Sequence, residues 1–111
     1  MPLDPSTPRL DDRVAIVTGA AAGIGRAIAL ALARFGADLA VCDRNADELA
    51  MVAKEIVAIG RSVRADVLDV REPDAVDAFC LAVGEQVGKV DVLVNNAGIP
   101  KRRRVLALSL D

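Results

Sequence analysis

Eight residues near the N-terminus, Thr18-Gly19-Ala20-Ala21-Ala22-Gly23-Ile24-Gly25, constrain what this chain can fold into more than any other stretch. They follow a continuous apolar run, Val14-Ala15-Ile16-Val17. They precede a segment in which Ile24, Ile28, Ala31, Leu32 and Phe35 recur at helical spacing. That order reads as buried strand, glycine-rich turn and helix. Without a Cβ in the way, the backbone N–H groups of such a turn lie open to a bulky anion. The first turn of the helix adds donors with no intrahelical partner and a favourable dipole. A diphosphate is the ligand class this arrangement fits. Glycines here could equally be plain turn formers, and it is the strand and helix on either side that favour the anion site.

The rest of the chain repeats the pattern. Gly36 is placed to end the first helix in a left-handed cap. Leu39–Cys42 reads as a second strand and Asp43-Arg44-Asn45 as the turn leaving it. Leu49, Val52, Ala53, Ile56 and Ile59 then form the stripe of a second helix, with Gly60 as its stop. Ser62–Ala65 is short and mixed, as suits an edge strand. Pro73 opens a third helix, where its missing N–H costs nothing. That helix buries Val76, Phe79, Cys80, Val83 and Val87 and ends at Gly88, before a fourth strand over Val90–Val94. Strands alternating with helices of this length predict right-handed crossovers and a parallel sheet. Residues 1–12 hold three of the five prolines and are expected to form a flexible leader, with a single domain over residues 13–111.

Composition narrows the function. Hydrophobic residues make up 53% of the 111 positions and aromatics 2%, with no Trp, Tyr or His. The core must therefore be built from Ala, Val, Leu and Ile, and two of the commonest proton-transfer side chains are missing. A net charge of −2 argues against a nucleic-acid-binding domain. The run Lys101-Arg102-Arg103-Arg104 reads as a solvated loop. Cys42 and Cys80 form no C-x-x-C motif, so no metal site is expected, and both read as buried reduced thiols. No signal peptide and no apolar run of membrane-spanning length is present, so a soluble cytoplasmic protein without membrane partners is expected.

Three further features follow the glycine-rich loop. Asp43 lies 18 residues beyond Gly25. Asp66-Val67 closes a third apolar run, and Val92-Leu93-Val94 leads into Asn95-Asn96-Ala97-Gly98. The loop itself reads G-x-x-x-G-x-G rather than G-x-G-x-x-G. With these features in order, residues 11–111 resemble the N-terminal, cofactor-binding half of the short-chain dehydrogenase/reductase family, whose loop is TGxxxGxG and whose fourth strand ends in NNAG. The resemblance implies a Rossmann-type doubly wound parallel α/β sheet, incomplete here, with four strands in order 3-2-1-4 and three helices. Its ligand cleft would lie above the C-terminal ends of strands 1 and 4.

The resemblance also implies roles. Gly19 makes the turn, Gly23 and Gly25 let the pyrophosphate and the helix approach, and Ile24 offers a backbone N–H. Asp43 accepts from the 2′- and 3′-hydroxyls of the adenosine ribose. A 2′-phosphate about 4 Å from that carboxylate would meet a repulsion of about 4 kcal/mol per unit charge pair near a protein surface. NAD is therefore expected in preference to NADP. Arg44 could turn toward a phosphate, but Ala20, Ala21 and Ala22 add no second cation. Asp66 accepts from the exocyclic amine of adenine while the Val67 N–H donates to a ring nitrogen. Asn95 and Asn96 bridge strands or line the adenine ribose together with Ala97, and Gly98 leaves room for the cofactor. Asp43 and Asp66 also have an ordinary reading as turn formers after strands, and Asp69 reads as a turn or helix-start residue rather than a ligand.

Members of the family reduce or oxidise a carbon–oxygen bond with a serine and a Tyr-x-x-x-Lys pair in the second half. This chain stops before them, so no catalytic residue is assigned and the 111 residues alone are expected to be inactive, with the fourth strand left as a bare edge. The expected whole is a homo-oligomeric NAD-dependent oxidoreductase moving hydride between NAD(H) and a small alcohol or carbonyl substrate. The alternatives are a non-catalytic dinucleotide-binding module and a subunit completed by another chain.

Overall fold

A computed structural model describes residues 9–96 of the chain. Strands and helices alternate as β1 (Val14–Thr18), α1 (Gly23–Arg34), β2 (Asp38–Asp43), α2 (Ala46–Ile59), β3 (Val63–Val67), α3 (Pro73–Val87) and β4 (Val92–Asn95). Every strand pair is parallel and the sheet order is β3-β2-β1-β4. The chain first builds outward from β1 to β3 and then returns to place β4 on the other side of β1. This is a Rossmann-type sheet, and the reversal opens a crevice at the C-terminal ends of β1 and β4.

Alternation along the two central strands divides the core. Ala15, Val17, Leu39 and Val41 face α1 and α2, packing with Ala29, Leu30, Ala33, Leu49, Val52 and Ile56. Ile16, Ala40 and Cys42 face α3 and meet Phe79 and Val83. In-register pairing puts Ile16 beside both Ala40 and Leu93, so adjacent strands present one apolar surface.

Four local expectations are revised. The buried stripe of α1 is Gly25, Ala29, Leu30 and Ala33, while Ile24 is 71% exposed, Ala31 is exposed and Ile28, Leu32 and Phe35 are half-buried. The helix is turned by one position, which sets the small residues Gly25, Ala29 and Ala33 toward the sheet and permits a close approach. Strand β3 runs to Val67, two residues past the expected end, because Cys42↔Asp66 and Asp43↔Val67 extend the pairing and Leu68 N–H donates to the Asp43 carbonyl at 3.0 Å. Strand β4 begins at Val92 rather than Val90, after Asp91 has closed the entry to the ladder. On α3 only Phe79 and Val83 are buried, and Val87, at the last turn, is exposed.

Helix ends follow the glycines. Gly36 has φ +109°, with Gly36 N–H donating to the Ala33 carbonyl and Ala37 N–H to that of Leu32, a Schellman arrangement that satisfies two terminal carbonyls. The carbonyl of the C-cap residue, Phe35, accepts from Leu10 N–H at 2.8 Å, and Leu10 packs on the core beside α1. Leu10, inside the expected leader, is therefore tied to the fold, and residues 1–8 lie outside the described residues.

At the opposite end of the sheet Asp91 joins β1 to β4. Its carboxylate accepts from Val14 N–H at 2.9 Å, its own N–H donates to the Val14 carbonyl at 2.9 Å, and Lys89 and Arg13 flank it at 3.4 and 3.6 Å. The Val14 N–H, with help from the two cations, holds the Asp91 carboxyl below the usual carboxylate range. The hydrogen bond from Arg71 does the same for Asp69, which falls to about 2. Both groups bind a proton more readily in the unfolded chain, so their stabilisation is complete above a pH of about 4 and declines as pH falls below it, toward about 2 for Asp69. Asp91→Ala is expected to cost about 2 kcal/mol at pH 7 through loss of the charged hydrogen bond. In urea melts the gap between wild type and variant should shrink steadily below that pH, and a pH-independent gap would contradict this account.

Candidate functional site

The glycine-rich loop is fastened in its first half and open in its second. Gly19, at φ +65°, and Ala20 both donate to the Cys42 carbonyl, at 2.9 and 3.2 Å. Ala21 N–H donates to Asp43 Oδ2 at 3.0 Å. Asn96 Nδ2 donates to the Gly19 carbonyl at 3.0 Å. Beyond Ala21 nothing among the described residues fastens the loop further. Ala22 is the N-cap of α1 and has no side chain with which to cap it, so the first-turn amides are left facing the crevice. Gly23 adopts φ +61°, and a Cβ built on it would meet nothing within 4 Å. Gly25 is the reverse: its Cβ would lie 2.1 Å from the Gly19 carbonyl oxygen and 2.5 Å from Asn96 Nδ2. One glycine supplies backbone freedom and open space, the other close packing.

Asp43 stands where β2 leaves the sheet. Besides the loop amide on Oδ2, its Oδ1 accepts from Asn45 N–H at 3.0 Å. Asn45 in turn caps α2, its side chain accepting from Glu48 N–H at 3.0 Å. Two backbone amides thus fix the orientation of this carboxylate at the rim of the crevice. Beside it Arg44 is exposed, and its charge adds to the depression of Asp69.

Asn95 and Asn96 end β4 next to the loop. Thr18, almost fully buried, donates its hydroxyl to Asn95 Oδ1 at 3.0 Å and accepts from Asn96 N–H at 3.1 Å. The loop, Asp43 and the two asparagines therefore share the C-terminal edge of the sheet, joined through Thr18 and Gly19. Ala97 and Gly98 lie outside the described residues, as does the basic run from Lys101 to Arg104. Thr18 was not singled out from sequence, although a hydroxyl closing an apolar run must find partners when buried.

Asp66 and Val67 lie in β3 rather than beyond it. Asp66 is held by Arg64, Nε to Oδ1 at 2.9 Å and Nη2 to Oδ2 at 3.0 Å. Because Leu68 N–H donates to β2, the alternation of the ladder turns the Val67 N–H toward the outer edge of β3, which no strand among the described residues covers. Arg64 was also missed, yet its spacing of two from Asp66 on a strand puts both on one face.

Burial pushes the Cys42 thiol up to about 12, with the neighbouring Cys80 adding to the effect. Beneath the loop it stays a neutral thiol at physiological pH and is a poor nucleophile. Among the described residues no cluster of three His, Cys, Asp or Glu could hold a metal ion, and no helix is long and apolar enough to cross a membrane.

A parallel sheet whose switch point is bordered by a glycine-rich loop, an uncapped helix start and a fixed acid on the next strand defines a dinucleotide-binding α/β domain. The chain belongs to the short-chain dehydrogenase family, whose model matches residues 13–111. It is 44% identical over 93 residues to the 7alpha-hydroxysteroid dehydrogenase of Escherichia coli strain K12, covering 81% of this chain and 35% of that protein. Among solved structures, a metagenomic short-chain oxidoreductase in complex with NADP is 43% identical with a TM-score of 0.75, covering 81% of this chain and 41% of that one. A short chain dehydrogenase from Mycobacterium paratuberculosis bound to NAD is 32% identical with a TM-score of 0.76, covering 81% and 38%. The chain thus spans less than half the length of the proteins it matches.

Proposed function

We propose that these residues bind NAD(H) across the crevice and form the cofactor-binding part of an oxidoreductase acting on an alcohol or carbonyl substrate, assembled as a homo-oligomer. When bound, the nicotinamide would supply or accept the hydride. This chain's own residues would bind and orient it. The α1 amides and Gly23 would receive the diphosphate, and Asp43 would accept from the 2′- and 3′-hydroxyls of the adenosine ribose. Asp66 and the Val67 N–H would meet the adenine edge, while Asn95, Asn96, Ala97 and Gly98 would flank the adenine ribose. The 111 residues contain no Tyr or His, so we assign them binding and no proton transfer.

The orientation of Asp43 carries the preference for NAD over NADP. A carboxylate held by Ala21 and Asn45 N–H groups cannot swing aside without giving up both bonds, so a 2′-phosphate would meet a fixed like charge. Titration of the chain with NAD and NADP is the test. NAD is expected to bind at least about tenfold more tightly, and Asp43→Ala to weaken NAD by about thirtyfold while weakening NADP less. Equal affinity for the two cofactors in the wild-type chain would sink the preference, and absence of binding to either would sink the nucleotide reading.

A further inference from the structure

Arg64 occupies a place that a surface ion pair does not require. Its guanidinium makes two parallel hydrogen bonds to Asp66, and Nη1 donates to Gln86 Oε1 on α3 at 3.0 Å. Its Cζ lies 5.9 Å from the centroid of the Phe79 ring, which is itself buried. The planar fork is therefore held on its polar edge by three acceptors and on one face by an aromatic ring. Both side chains of the pair are only about one-third exposed, at 34% and 31%.

An isolated carboxylate on an edge strand would sample several rotamers, and an exposed ion pair would do little to stop it. Here Arg64 is anchored to α3 at two points, so Asp66 is referenced to the body of the domain rather than to a mobile partner. Each carboxylate oxygen can accept two hydrogen bonds, and Arg64 uses one on each. A lone pair therefore remains on each oxygen at a defined place near the open Val67 N–H. An acceptor and a backbone donor side by side match the edge of a 6-aminopurine, which offers an exocyclic N–H and a ring nitrogen. A 6-oxopurine presents the opposite polarity at both positions.

We propose that Arg64 is a positioning residue that fixes Asp66 so that the nucleotide site selects a 6-aminopurine over a 6-oxopurine. This rests on the nucleotide reading above. The probes are adenosine and inosine diphosphates, which share phosphates and ribose and differ in the base edge. The wild-type chain is expected to bind adenosine diphosphate about tenfold more tightly than inosine diphosphate. Arg64→Met keeps the aliphatic stem over Phe79 without the fork. It should reduce the ratio to about twofold by weakening adenosine diphosphate alone, and Arg64→Lys should fall between. Asp66→Asn should remove the preference, and adding Arg64→Met to it should change the ratio no further, since the arginine acts through the carboxylate.

Circular dichroism reports whether Arg64→Met is folded, and Arg64→Lys carries the same comparison if it is not. An unchanged ratio in a folded variant, or equal weakening of both nucleotides, would reduce Arg64 to a structural tie and overturn the proposal. A wild-type chain that binds both equally overturns this inference while leaving the nucleotide reading standing. One that binds neither removes both.

Discussion

Gly25→Ala is expected to destabilise the fold by about 3 kcal/mol or more, at the upper end of what an added methyl group does in a packed interior. The new Cβ would sit 2.1 Å from the Gly19 oxygen, 2.9 Å from the Gly19 carbonyl carbon and 2.5 Å from Asn96 Nδ2. Two of those atoms are backbone at the exit of β1. The third belongs to an amide already committed to the Gly19 carbonyl. Nothing at the contact can swing away, so α1 must lift from the sheet. Ala29 and Ala33, one and two turns further along the same face, would lose their seats against the strands. Urea denaturation of wild type and variant measures the difference, and a loss below about 1 kcal/mol would show that the approach of helix to strand is looser than described.

Gly23→Val should give the converse result, nearly intact secondary structure with nucleotide binding lost. Among the described residues no atom lies within 4 Å of the position its Cβ would take, so no contact between them is broken. The folded state pays only for holding a non-glycine residue at φ +61°, about 1–2 kcal/mol. The side chain would, however, project into the space in front of the α1 amides, where the diphosphate would rest. NAD affinity is expected to fall by at least about a hundredfold, equivalent to about 2.7 kcal/mol or more, with an unchanged helical signal in circular dichroism. Affinity within about threefold of wild type would move the diphosphate away from this loop.

The two glycines show how far a one-dimensional reading reaches. Both stand in the same motif, and sequence assigned them one shared purpose, room for the ligand and the helix. Their different reasons emerge only when β4 is placed beside β1, because the groups that crowd Gly25 come from Gly19 and from Asn96, 71 positions further along the chain. The α1 stripe is a similar case. Periodicity favoured Ile24, Ile28, Ala31, Leu32 and Phe35, and the helix instead buries Gly25, Ala29, Leu30 and Ala33, three of them small. Hydrophobicity scales reward side-chain size, whereas close packing against a sheet rewards its absence. Asp66 was placed after β3 because a charge ordinarily ends an apolar run. It remains in the strand because the ladder to β2 runs on through Cys42 and Asp43, with Arg64 pairing its charge on the same face.

Sequence by itself determined the alternation of strands and helices, the glycine stops at 36, 60 and 88, and the glycine-rich loop between a buried strand and a helix. These are properties of neighbouring residues, set by backbone freedom and by the spacing of apolar side chains. Tertiary structure alone decided that Asp43 is fastened to Ala21, that Thr18 joins β1 to both asparagines, and that Arg64 reaches Gln86 on α3. Those bonds depend on distance in space between groups on different elements, and the pairing of parallel strands through long crossovers creates that proximity without leaving a local trace in the chain.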